Sequence, residues 1–358
     1  MHTIRLLDLG DVSPLRSQTV YHAAAYAMSE DTADTILLVS PTQPYVSIGY
    51  HQELEKEVDL DTCRQRDLPI IRREVGGGAV YLDHGQLFVQ WVFHPGHLPE
   101  KIEDRFALYV RPIVETYHEL GIDAEYRPIN DIHVNGRKIC GTGAATIGNA
   151  EVVVGSFMFH FDKETMSKVL RVSSEKMRDK VFQSLQQYMT TIEELLGYQP
   201  SRDLVKQIYL EKAAKLLDAE IHPAEWTAEE EAQACEVDAR FQSEEWLNQR
   251  GGLRQTGIKI HQDVRVVEGA TKAPGGLVRA TLRLRQGRID DIVLSGDFTL
   301  TPAFALASLE QSLRGVTVSQ DALSARVQQA YRATGIQSPG LAPEHFVQAI
   351  LAAAGAAQ

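Results

Sequence analysis

Asn130-Asp131-Ile132-His133-Val134-Asn135-Gly136-Arg137-Lys138-Ile139-Cys140-Gly141 is the stretch that decides the fold. It reads as a strand, a tight Asn135-Gly136 turn and a second strand, because Asn-Gly accepts the left-handed dihedrals of a two-residue hairpin loop. The second strand delivers one fixed ammonium, that of Lys138. About fifty residues upstream lies Arg72-Arg73-Glu74-Val75-Gly76-Gly77-Gly78-Ala79-Val80-Tyr81-Leu82-Asp83. Gly76, Gly77 and Gly78 let backbone approach a ligand closely and offer N–H donors to its oxygens. With two arginines and a strand lysine, the pair of runs suits a site for a nucleotide phosphate and a carboxylate.

Outward from these runs, short strands alternate with a few helices. Residues 4–8, 35–39, 45–49, 69–73, 86–93 and 152–161 read as strands. Residues 17–29, 60–66, 102–120, 163–170 and 202–217 read as helices, the third with Phe106, Val110, Val114 and Tyr117 on its apolar face. Thr227-Ala228-Glu229-Glu230 is a capping box opening another helix. This interleaving predicts an α+β fold rather than a parallel βαβ array. Gly251-Gly252 marks the boundary, giving domains 1–250 and 251–358. Beyond it Val278, Ala280, Leu282 and Leu284 alternate with Arg279, Thr281, Arg283 and Arg285, a half-buried strand with a basic outer face. Gln286-Gly287 turns it into a strand at 289–294. Thr301-Pro302 reads as a helix start and Gly315 as its end. Two more helices are predicted at 319–333 and 343–353.

The chain has 358 residues, enough for two cores, and a formal charge of −12, which argues against a general nucleic-acid binder. Cys63, Cys140 and Cys235 lie far apart, so neither a disulfide framework nor a metal knuckle follows. The N-terminus lacks the design of a signal peptide and no apolar run approaches a membrane span, so a cytoplasmic location is the expectation. The twelve histidines show no H-E-x-x-H or comparable metal spacing, and none is assigned a role.

The two runs together resemble the lipoate–protein ligases of the biotin/lipoyl ligase superfamily, whose pattern is R-R-x-x-G-G-G-x-V-x-x-D-x-G-N followed by N-D-(apolar) and G-(basic)-K-(apolar)-x-G. The resemblance covers residues 1 to about 250. The strand, hairpin, Gly296-Asp297-Phe298 and helix of the last third are similar to the family's accessory domain. It implies a catalytic domain of mixed, mostly antiparallel sheets with flanking helices, plus a smaller α+β accessory domain. The implied reaction is ATP-dependent activation of lipoate as lipoyl-AMP. The lipoyl group then passes to a lysine of a small lipoyl domain, such as a glycine-cleavage H-protein-like partner or a dehydrogenase E2 domain.

Within that reading Lys138 is the catalytic cation. Arg73 meets the nucleotide or acyl carboxylate, and Arg72 supports the loop. Asp131 holds Mg²⁺ between phosphates, aided by the Asn130 amide, since magnesium keeps water and needs few protein ligands. Gly49-Tyr50-His51-Gln52 resembles the family's strand-end G-x-x-Q, which makes Gly49, His51 and Gln52 acyl-pocket candidates. Val46, Ile48, Val75 and Val80 are apolar candidates for lining a slot for an eight-carbon chain. Departures from the pattern include Gln86 for the usual Asn, Leu82 for His, Val75 for Ser, and Val153-Val154-Gly155-Ser156 for His-His-Gly. They fall around the acyl and acceptor surfaces.

Two other readings stand beside this one. Related octanoyltransferases use a cysteine nucleophile, and Cys140, two positions from Lys138, shares its strand face by simple alternation. A thiolate there would attack a thioester. The other reading is a non-catalytic protein that grips lipoate or a lipoyl domain.

Overall fold

The computed structural model describes residues 2–171, 175–250 and 264–355, with only the backbone described for 175–179. The predicted boundary at Gly251-Gly252 lies outside the described residues. The chain divides into two compact units. One comprises Met1–Ser47, Val58–Arg73 and Ala79–Ser243. The other comprises Ile48–Glu57, Glu74–Gly78 and Glu244–Gln358. Two short segments of the N-terminal region, among them the glycine triplet, thus belong with the C-terminal unit.

The strands of the first unit are β1 (His2–Val12), β2 (Asp34–Pro41), β3 (Tyr45–Ile48), β4 (Ile70–Arg72), β5 (Val80–Leu82), β6 (Gln86–Phe93), β7 (Ala124–Arg127), β8 (Asp131–Val134), β9 (Arg137–Gly141), β10 (Gly143–Ile147), β11 (Ala150–Met158) and β12 (Ala219–Pro223). Six of them form one sheet in the order β10-β11-β6-β2-β1-β12. β1 runs parallel to β2 and β12, and the remaining neighbours are antiparallel. β2 and β6 are buried along their whole length, as the apolar run at 35–39 predicts for β2, whereas the alternating pattern of 86–93 predicts only one buried face for β6. Two three-stranded sheets, β4-β3-β5 and β7-β8-β9, complete the unit. The α+β expectation is met.

Helix Pro14–Tyr26 starts at Ser13, whose hydroxyl accepts the Arg16 N–H, with proline in its first turn. Helix Ile102–Glu119 lays Phe106, Tyr109, Val110, Ile113 and Tyr117 into the main core, beside Trp91 and Phe93 of β6. Arg105 on that helix makes a buried ion pair with Glu151 of β11. Helix Ala228–Phe241 carries both bonds of the predicted capping box at Thr227 and Glu230.

In the second unit β13 (Val264–Ala273), β14 (Gly276–Arg285) and β15 (Arg288–Gly296) form an antiparallel meander. Helices Ala305–Leu313, Gln320–Thr334 and Pro343–Gly355 share its core, built on Val278, Ala280, Leu282, Leu294, Leu309 and Ile350. Two expectations change here. The first helix begins at Ala305, not at Thr301-Pro302, and has no side-chain cap. The basic outer face of β14 is largely neutralised. Arg279 bonds Glu57 at 2.9 Å, and Arg283 lies against Asp290 and Asp291.

Candidate active site

The hairpin forms as its sequence requires. Asn135 and Gly136 take φ of +51° and +76°, the left-handed pair of a tight loop between β8 and β9. The pairing is not regular, however. His133 faces Lys138 and Ile132 faces Cys140, so Ile139 is an extra residue, a β-bulge. The bulge reverses the alternation between Lys138 and Cys140. Lys138 therefore stands on the face of Asp131 and His133, whereas Cys140 joins Ile132 in the core. The expectation that Lys138 and Cys140 share a face is corrected by that one inserted residue.

On this partly buried face the Lys138 ammonium lies 2.7 Å from Asp131 Oδ1. Tyr188 Oη is 3.4 Å from Asp131 Oδ2, and burial pushes its phenol above the ordinary value, with the Asp131 charge adding to the shift. His133 is fully buried, with Nε2 3.7 Å from Asp131 Oδ2. Its Nδ1 lies 3.4 Å from a guanidinium nitrogen of Arg127. Gly141 closes the arrangement. A Cβ there would sit 2.7 Å from Lys138 Nζ, so the absence of a side chain is what lets the lysine lie across the strand. The Lys138 carbonyl accepts the Thr190 N–H at 2.9 Å, tying β9 to the segment that follows Tyr188.

Asn130 serves the backbone: its amide donates to the Thr142 carbonyl at 2.5 Å, while its own carbonyl accepts from both the amide and the hydroxyl of Thr142. Of the two candidate ligands of the run, Asn130 and Asp131, the carboxylate of Asp131 is the one placed for a cation. Cys140 is fully buried, and burial pushes its thiol up to about 11 against a smaller opposing pull from Lys138. Cys63 is also buried and raised to about 11, by burial first and the Asp59 charge second.

Arg72 ends β4 and is fully buried. Arg73 donates to both the carbonyl and the hydroxyl of Ser47 at 3.2 Å, and burial lowers its pKa below the usual guanidinium value. Val46 pairs with Tyr81 and Ser47 with Val80, so Val46 and Val80 point to opposite faces of their sheet and do not line one slot there together. Asp83 binds the Gly85 N–H at 2.8 Å and shapes the turn into β6.

The remaining candidates lie in the second unit. The Gly77 N–H donates to the Phe298 carbonyl at 3.2 Å, so this donor of the triplet is engaged by backbone rather than left for an anion. Gly77 has φ of +97°. A Cβ on Gly76 would lie 2.5 Å from the Phe298 oxygen, and one on Gly49 only 1.9 Å from the Gly77 oxygen. Glycine is thus required at Gly49 and Gly76 for backbone to meet backbone. His51 is buried and stacks on Phe298, with ring centroids 4.9 Å apart. Gln52 accepts the Gly49 N–H at 2.9 Å, and the Val75 carbonyl accepts the Tyr50 N–H at 3.1 Å. Gly49, His51, Gln52 and Val75 are packed together as a backbone-locked corner.

His133, Tyr188 and Gly141 take part in the site without having been singled out from sequence. Alternation from Asp131 placed His133 on its face, a signal that was available. Tyr188 arrives from about fifty residues away, and nothing local announces it.

The sequence pattern of the lipoyl protein ligase A/B catalytic domain matches residues 14–214, over half of the chain. The chain belongs to that family. The pattern of the bacterial lipoate protein ligase C-terminus matches residues 267–350. Among the relatives, an octanoyltransferase LipM of Kyrpidia tusciae is 27% identical over 69% of this chain and 98% of its own. Lipoate-protein ligase A subunit 1 of Thermoplasma acidophilum is 28% identical over 68% of this chain and 95% of its own. Among solved structures, a bipartite lipoate protein ligase described with its E2 lipoyl domain, also from Thermoplasma acidophilum, has a TM-score of 0.63 at 28% identity, covering 72% of this chain and 100% of that one. A lipoate-protein ligase A bound with ATP has a TM-score of 0.60 at 25% identity, covering 69% and 98%. The protein is therefore an enzyme of the lipoate ligase and octanoyltransferase family, with a separate C-terminal region that matches the bacterial lipoate protein ligase C-terminus. No helix among the described residues is long and apolar enough to cross a membrane.

Proposed function

We propose that the protein is an ATP-dependent lipoate–protein ligase. The observation that carries this reading is the contrast on one hairpin between an accessible, carboxylate-held Lys138 and a buried, protonated Cys140. A thioester-dependent transfer needs a thiolate, and both cysteines within the matched catalytic region, Cys63 and Cys140, are buried with raised pKa values. An adenylating ligase needs a fixed cation instead. The C-terminal region points the same way, because the pattern it matches is that of the bacterial lipoate protein ligase C-terminus.

In the first half-reaction a carboxylate oxygen of lipoate attacks the α-phosphorus of ATP, and the bond to the pyrophosphate oxygen breaks. Negative charge builds on the α-phosphoryl oxygens. A preorganised ammonium there is worth roughly 3–4 kcal/mol of barrier, by analogy with oxyanion donors. Asp131 orients Lys138 for this role, and Arg73 is the candidate for the substrate carboxylate or nucleotide. Asp131 also fits magnesium, since among the described residues the polar neighbours of its Oδ2 are the distant Tyr188 and His133, at 3.4 and 3.7 Å. When bound, magnesium neutralises charge on the phosphates. In the second half-reaction the amine of an acceptor lysine attacks the mixed-anhydride carbonyl, AMP leaves, and the same ammonium polarises the carbonyl. The acceptor class is a small lipoyl domain, of the E2 or H-protein type, in keeping with the E2 lipoyl domain described with the Thermoplasma ligase.

The test is pyrophosphate release from ATP and Mg²⁺ on adding lipoate without acceptor. We expect a lipoate-dependent burst, reduced about 10²–10³-fold in Lys138→Ala at an unchanged melting temperature. Release that ignores lipoate or Lys138 would refute the proposal and return attention to thioester substrates.

A further inference from the structure

The six-stranded sheet brings together three side chains that sequence spacing keeps apart. β1 and β2 run parallel, with Ile4 opposite Asp34, and β2 is antiparallel to β6, with Thr35 opposite Val92. The start of β1, the start of β2 and the end of β6 therefore meet at one end of the sheet. At that end stand His2, Asp34 and, in the short 3-10 helix Pro95–His97 that follows β6, His97.

Asp34 Oδ2 is 2.9 Å from His2 Nε2 and 2.8 Å from His97 Nδ1. Its other oxygen, Oδ1, accepts the His94 N–H at 2.8 Å, which fixes the plane of the carboxylate. His94 is itself held by Nε2 on the Thr32 carbonyl at 2.5 Å. The Asp34 side chain is wholly buried, and among the described residues no lysine or arginine bonds it. The two imidazoles are 33% and 47% exposed and meet edge to face, so one side of the group opens to solvent.

We propose that His2, Asp34 and His97 form a binding site for a divalent transition ion of the zinc class. A buried carboxylate bonded by no lysine or arginine among the described residues can be balanced by a dication, and two imidazoles with one carboxylate are nitrogen-rich donors that favour zinc, nickel or cobalt over magnesium. The two separations from Asp34, 2.8 and 2.9 Å, are close to what an ion requires, and the three donor atoms lie within 4.8 Å of one another. A cation held at about 2.0–2.1 Å from each donor places the donors roughly 2.9–3.4 Å apart, so small ring movements suffice. The Asp34 oxygen bonded to His94 supplies the outer-shell support that such ligands usually have. With three protein ligands and an open side, water would complete the coordination. The ion would clasp the first residues of β1 to β2 and to the turn after β6.

The site is separate from the Lys138 hairpin. Glu193 N–H donates to the carbonyl of Phe159, just past the end of β11, and Thr190 N–H to that of Lys138. The end of β11 pairs with Gln86, the start of β6, so this tie lies at the opposite end of β6 from His94.

The experiment uses the full chain without a polyhistidine tag. Zn²⁺ is titrated calorimetrically, and Co²⁺ is followed by its visible absorption. The expected result is one equivalent bound, a rise in melting temperature with Zn²⁺, and at least a hundredfold weaker binding in His97→Ala, more than the roughly 10–100-fold cost of an outer-shell change. His97 is half-exposed, so this variant should fold even if Asp34→Asn does not. Lys138→Ala should bind the ion normally. No stoichiometric uptake, or uptake indifferent to His97→Ala, would overturn the proposal and leave the group as a hydrogen-bonded clamp.

Discussion

At the scale of single residues, the site depends on how Gly141 and the Ile139 bulge arrange Lys138. Gly141→Ala places a methyl 2.7 Å from Lys138 Nζ, the free end of a flexible chain, so the lysine moves and the strand does not. Gly141 has no left-handed φ, and alanine in an ordinary conformation tends to stabilise by about 0.4–1 kcal/mol. The expectation is thus a variant as stable as the parent but about 10–100-fold slower in adenylation, since a displacement near 1 Å can cost about a hundredfold. Pyrophosphate release and thermal melts on one preparation would separate the two effects, and a loss of stability equal to the loss of rate would contradict the steric account. Cys140→Ala should behave in the opposite sense. The thiol is buried and protonated, so adenylation and transfer should remain within about threefold, while stability falls by about 1 kcal/mol from the small cavity. An inactive Cys140→Ala of normal stability would revive the thioester mechanism.

At the scale of elements, much of the architecture was legible because periodicity and caps act locally. β6 occupies the predicted residues 86–93, and helix Arg202–Leu217 the predicted 202–217. The capping box at Thr227 is formed in full. The bulge in β9 was not legible, since alternation is blind to one inserted residue. The His2–Asp34–His97 group was equally hidden, because it is made by strand order rather than by spacing. Nor did sequence reveal that helix Pro14–Tyr26 buries a neutral histidine. His22 is completely buried on that helix, its Nδ1 bonded to the Gln18 carbonyl at 2.6 Å, and burial lowers its pKa from 6.5 to about 3. Below pH 6.5 the unfolded chain takes up a proton that the folded chain refuses. Stability therefore falls as pH drops from about 6.5 toward 3, by up to about 4–5 kcal/mol from this group. Urea midpoints measured at pH 7, 5.5 and 4.5 should decline less steeply in His22→Gln than in the parent, even if the variant starts lower. Parallel declines would show that other groups govern the acid limb.

At the scale of the whole molecule, the division into units cuts across the division by sequence motif. The Gly76–Gly78 triplet and the Gly49–Gln52 corner precede the accessory domain by some two hundred residues, yet they are built into its unit. Phe298 stacks on His51 and accepts the Gly77 N–H, Ser295 donates to Glu53 at 2.6 Å, and Lys56 pairs with Glu268 at 2.6 Å. A chain ending at residue 250 would keep the core around Trp91 and Phe106 but remove every one of these partners. It should still unfold cooperatively, while trypsin cuts rapidly after Lys56 and adenylation is lost. Gly49→Ala in the full-length chain probes the same corner without removing anything. Its methyl would lie 1.9 Å from the Gly77 carbonyl oxygen, a backbone atom fixed at its neighbour by the bond to Phe298. Overpacking of this kind typically costs about 1–3 kcal/mol, and here it should release 48–57 and 74–78 first. Faster cleavage after Lys56 in both proteins, with the main melting transition of Gly49→Ala little changed, would establish that the accessory unit holds the glycine triplet. Protection equal to the parent in either protein would mean that these segments are organised by the catalytic unit alone.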